Sequence, residues 1–213
     1  MAGVKTAAVS LLSVLVLLPA PSAPAAHVAY SIDPQQSKIE IQVAKDGFLK
    51  AFGHDHLVSA TRYSGEVQFD SEKVEESSVV FTVETASLKV IDPGESEKDR
   101  NEVQATMLGK DVLDTAQHPQ IKFSSSSVKS KPGNNGSLAL LVEGTLLLHG
   151  TTKPLTVPVT LRVGNDGTLT ADAEVSMLQS DFGITPYKAV GGTVRVKDKL
   201  KLTFHIIARK AGA

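Results

Sequence analysis

The chain has 213 residues, with 22 basic and 23 acidic side chains and a formal net charge of −1. That balance lacks the basic stripe that drives binding to phosphate backbones, which excludes nucleic acid as a partner class. There is no cysteine, so disulfides, thiolate nucleophiles, cysteine-ligated zinc, Fe–S clusters and covalent c-type haem are excluded with it.

The first segment reads as a cleaved signal peptide, residues 1–26. Lys5 supplies a positive start, "TAAVSLLSVLVLLP" an apolar run, and Ala23-Pro24-Ala25 a small-x-small cleavage pattern. The apolar run is short for the roughly 30 Å of a hydrocarbon core. The expectation is therefore one domain over 27–213, periplasmic or secreted, with no stable membrane span after cleavage. Monomer and homodimer both stay open.

Beyond the signal the pattern has period 2, the mark of strands with one apolar face. "SKIEIQVA" puts Ile39, Ile41 and Val43 on one side, and "YSGEVQFD" aligns Tyr63, Gly65, Val67 and Phe69. "SSVVFTVETASL" aligns Val79, Phe81 and Val83, and "QIKFSS" aligns Ile121 and Phe123. "LALLVEGTLLLHG" is apolar enough for a buried strand. "PLTVPVTLRV", "LTADAEVSM" and "KLKLTFHIIA" alternate cleanly, the first through Val157 and Val159, the last through Phe204 and Ile206. "KPGNNGS" and "GNDGT" carry the Asn-Gly and Asp-Gly pairs of tight hairpins, and "VKDKL" reads as a further polar reversal. One stretch departs: "DPGESEKDRNEVQATMLG" predicts a helix from Glu97 to Leu108, with Val103 and Met107 on one face and Gly109 as C-cap. These elements predict an all-β fold with one insertion helix, an antiparallel barrel of about eight strands in preference to a sandwich.

Catalytic signatures are missing: there is no Gly-x-Ser-x-Gly, His-Glu-x-x-His or phosphate-binding glycine loop. Asp92, Glu95, Glu97 and Asp99 read as acids gathered at a helix start by its dipole. In "FGHDHL", His54 and His56 flank Asp55. They are able to join a metal site with a distant third ligand, to contact a ligand head group at the barrel mouth, or to satisfy loop backbone. His149 reads as ordering a turn and His205 as facing outward. The inward set, Ile39, Ile41, Val67, Phe69, Phe81, Val83, Phe123, Val157, Val159, Phe204 and Ile206, either fills a solid core or lines a tunnel. Alternation by itself favours the solid core.

Four stretches in order carry a family resemblance. "YSIDPQQSKIEI", "DRNEVQATMLGKDVLDTAQHPQIKFSS", "VEGTLLLHGTTKPLTVPV" and "LQSDFGI" resemble motifs of YceI-like proteins, from Tyr30 to about Ala208. The resemblance implies a lipocalin-like antiparallel barrel, exported, non-enzymatic and without a cofactor, whose apolar interior holds an isoprenoid lipid of quinone or polyprenol type. It shifts the inward set from core to tunnel. "DGFLKAFGHDHLVSA" departs from the commonest family pattern through its Gly-His-Asp-His segment. The alternative reading is a metal- or cofactor-handling periplasmic protein using His54 and His56.

Overall fold

The computed structural model describes residues 27–46, 55–189 and 194–212; the signal segment lies outside them. Twelve strands and one long helix follow in order: β1 (Val28–Ile32), β2 (Lys38–Asp46), β3 (His56–Ala60), β4 (Tyr63–Phe69), β5 (Ser78–Glu84), β6 (Leu88–Val90), α1 (Glu97–Leu108), β7 (Gln120–Pro132), β8 (Leu138–Leu148), β9 (Thr151–Val163), β10 (Leu169–Leu178), β11 (Lys188–Ala189) and β12 (Val194–Lys210). Eight of them, in the order β1-β4-β5-β7-β8-β9-β10-β12, close into an antiparallel barrel when β12 pairs with β1, Tyr30 opposite Lys210. Closure leaves those strands without an exposed edge. The predicted lipocalin-like barrel of about eight strands, with one helix, is the observed fold.

The wall is extended at one end by β2, β3 and β6. β2 continues along β12, β3 pairs with β2, and the short β6 pairs with β3. This works because the chain bends between β1 and β2, between β3 and β4, and at the single turn Thr85–Ser87 between β5 and β6. β6 would otherwise show a bare edge. Gln104 of α1 covers it: the Val90 N–H donates to its Oε1, and its Nε2 donates to the Leu88 carbonyl, both at 2.7 Å. One amide thus imitates a neighbouring strand. The Gln104→Ala variant is expected to lose about 1–3 kcal/mol and the hydrogen-exchange protection of the Val90 amide, read by urea unfolding and exchange.

The helix has the bounds that its spacing predicts. Ser96 caps it, its hydroxyl accepting from the Asp99 N–H at 3.1 Å. Gly109 is the C-cap but is extended (φ −71°), not left-handed. "VKDKL" is not a reversal. It lies inside β12, where the register with β2 slips between Val196 and Leu200. The slip carries Asp198 out to accept from the Ser180 N–H (2.8 Å) and hydroxyl (2.5 Å), which pins the turn after β10.

At the β8–β9 hairpin both central residues have positive φ, His149 at 50° and Gly150 at 72°, as a two-residue primed turn requires. His149 Nδ1 lies 3.3 Å from the Phe182 carbonyl, and its ring meets His118 edge-on at 4.5 Å. His149 therefore orders a turn, as its position predicts. His205 faces outward and bonds Asp172 at 2.7 Å.

Several carboxylates accept local hydrogen bonds that hold them below the usual range. The Glu72 N–H does this for Asp70, the Thr168 N–H for Asp166 and the Ser180 hydroxyl for Asp198. A depressed folded-state pKa stabilises the fold above the unfolded carboxyl pKa, and that contribution is lost as pH falls through the lower folded value. The urea midpoint is accordingly expected to hold between about pH 7 and 5 and to fall below about pH 4. A midpoint that fell with rising pH across that lower range would contradict it.

Candidate functional site: an apolar cavity with a polar mouth

Alternation turns one face of every barrel strand inward, and directly opposed residues share a face. Between β10 and β12 the inward pairs are Leu169 with Ala208, Ala171 with Ile206, Ala173 with Phe204 and Met177 with Leu200. These side chains do not meet across the barrel. They surround a cavity of about 710 Å³ that runs between two packed clusters. The solid core favoured by alternation alone is thus not what the barrel contains.

The far end is packed by Tyr30, Ile32, Phe69, Val74, Leu161, Leu169 and Ala208, with Tyr30 and Phe69 edge-on at 6.3 Å. Toward the other end, α1 and the segment after it sit against the wall, Val103, Met107, Leu108, Val112 and Leu113 joining the second cluster. The wall between is aliphatic and aromatic. The predicted residues Ile39, Ile41, Val67, Phe69, Phe81, Val83, Phe123, Val157, Val159, Phe204 and Ile206 all contribute to it. Ala171 and Ala173, which alternation aligns with Leu169 on one face of β10 but which were not among the predicted lining residues, also line it, as does Thr106 of α1, which strand alternation does not reach. Val103 and Met107 were legible as a helix stripe, but not as cavity wall.

Charged lining residues gather at the α1 end: Lys45, His56, Asp92, Glu95, Asp99, Arg100, Glu102 and Arg195. Arg195 pairs with Asp46 at 3.2 Å, and Arg100 donates to the Glu95 carbonyl. Asp92 corrects its sequence reading. It is not a solvated helix-start acid but a buried residue, 2% exposed, on the chain just after β6. The Ile91 N–H donates to the Leu57 carbonyl at 2.8 Å and so brings Asp92 against β3. Asp92 Oδ1 then accepts the Leu57 N–H at 2.5 Å, and Oδ2 lies 2.7 Å from His56 Nδ1. The signal that pointed to this was only the apolar "LKVID" run that carries the chain inward.

His56 opens β3 in phase with Val58 and Ala60, whose side chains are buried, and it lines the cavity with them. Asp55 turns the other way, accepting from the Lys45 N–H at 3.0 Å and from Gln42 at 3.4 Å. His54 lies outside the described residues. Among the described residues no group of three or more His, Asp or Glu is placed to hold a metal ion. None of their helices is long and apolar enough to cross a membrane.

A closed antiparallel barrel with an apolar hollow, a polar mouth and a helix beside it defines a lipocalin-like architecture. The chain belongs to the YceI-like domain family, which matches residues 30–208. It is 30% identical over 205 residues to a UPF0312 protein of Pseudomonas syringae pv. tomato, covering 91% of this chain and 93% of that one. Among solved structures it is similar to Burkholderia cenocepacia BcnA (TM-score 0.66, 25% identity, 84% of this chain and 99% of that one). It also shares the fold of a polyisoprenoid binding domain from Saccharophagus degradans implicated in plant cell wall breakdown (TM-score 0.62, 12% identity, 86% and 99% covered).

Proposed function

We propose that the protein is an exported, non-enzymatic carrier that shelters the tail of an isoprenoid lipid, of quinone or polyprenol type, inside its barrel. The observation that carries this reading is the cavity itself: about 710 Å³ enclosed by aliphatic and aromatic side chains, with charge confined mainly to one end. A volume of that size falls in the range of roughly 300–1,000 Å³ for ligand pockets. Each buried methylene contributes about 0.8 kcal/mol, so a branched hydrocarbon tail binds such a wall without any polar contact. The family membership and the polyisoprenoid-binding neighbour support the same class of ligand.

Export follows from the leader-like segment. The mature chain is expected to begin after Ala25 or Ala26, which intact-mass measurement of the secreted or periplasmic protein reads directly. Organic extraction of that protein followed by mass spectrometry is expected to release a species with isoprenoid mass spacing. An extract with no lipid would oppose the proposal.

A further inference from the structure

An apolar tail needs no histidine, yet the mouth holds one in a fixed orientation. The Asp92 carboxylate is buried, and both its oxygens are already accepting, one from the Leu57 N–H and one facing His56 Nδ1. A carboxylate at Nδ1 keeps the ring proton of a neutral imidazole on that nitrogen, which leaves Nε2 as a bare acceptor. The His56 side chain lines the cavity and makes no other hydrogen bond among the described residues. Its neighbours on the same strand face are Val58 and Ala60, so a bound tail that displaces water there leaves this acceptor unsatisfied.

We propose that His56 Nε2 accepts a hydrogen bond from a hydroxyl at the polar end of the bound lipid. The cavity then selects isoprenoids ending in an alcohol or a hydroquinone over the matching ethers or quinones. This rests on the lipid-carrier reading above and adds the head group to it. Ether and carbonyl oxygens bring only lone pairs to a lone pair.

The test is equilibrium binding of geranylgeraniol and of its methyl ether at mildly alkaline pH. The wild-type protein is expected to prefer the alcohol by about tenfold. His56→Phe should bring that ratio close to unity while still binding the ether. In Asp92→Asn the side-chain amide donates to Nδ1 and moves the ring proton to Nε2; hydroxyl and ether oxygens both accept from that donor, so the preference should fall to near unity. A purely structural role for the pair would weaken both probes together and leave their ratio fixed. A decyl-chain benzoquinone and its hydroquinone form the second arm. Discrimination there points to a quinol, and discrimination confined to the alcohol pair points to a polyprenol; either outcome keeps the hydroxyl contact. A wild-type ratio near one, or a ratio unchanged by His56→Phe, overturns the assignment. Failure of wild type to bind either member of both pairs overturns it together with the carrier reading.

Discussion

Replacing Ala173 with tryptophan is expected to block lipid uptake while leaving the barrel folded. Ala173 sits in the middle of β10, opposite Val159 on β9 and Phe204 on β12, and all three side chains face the cavity. Its small side chain is one reason that a hollow exists at this level. An indole there projects into empty volume rather than into packed neighbours, so the penalty for overpacking stays near the low end of the usual 1–3 kcal/mol or so. The ligand bears the larger effect. Displacing about three methylenes of a tail costs about 2.4 kcal/mol, or roughly fiftyfold in affinity. Fluorescent-lipid displacement together with urea unfolding separates the two quantities. Unchanged affinity in a folded Ala173→Trp protein would place the tail elsewhere.

The opposite balance holds at Gly144 of β8. A Cβ built there would lie 2.4 Å from the Ser124 carbonyl oxygen and 2.7 Å from the ring of Phe123. The first contact is backbone in the paired strand β7, next to the register slip between Ser125 and Ser127, and it has no rotamer to escape through. The second is a side chain of the cavity wall. Gly144→Val is therefore expected to destabilise the barrel by about 3 kcal/mol or more, seen as a large drop in the urea midpoint. Gly144→Ala should show the same direction with a smaller loss. A neutral valine would mean that β7 and β8 are farther apart than their register implies.

The strands were legible because each barrel wall has one wet and one dry face. "PLTVPVTLRV" and "KLKLTFHIIA" could hardly be misread, and their inward residues stand on the cavity wall. The helix was legible from Glu97 to Leu108 because Val103 and Met107 mark one face of it among charged neighbours. What alternation does not encode is the distance between opposite walls. Ile39 and Phe204 face inward alike in a filled barrel and a hollow one. The difference comes from closure through β12 and β1, and from the small side chains of β10. Asp92 was misread because its place in an acidic run suggested solvent. Its role depends on a contact with β3 that spans 35 residues of sequence. "VKDKL" looked like a turn because it is polar, but in β12 its polarity serves a bulge that faces outward at the barrel end.

The most direct test is an experimental structure of the protein purified from its native compartment without delipidation. Continuous tubular density is expected from the cluster around Phe69 and Leu169, past Ala173, to the mouth at His56. A barrel whose side chains have closed the space, with no density between Val159 and Phe204, would contradict the account.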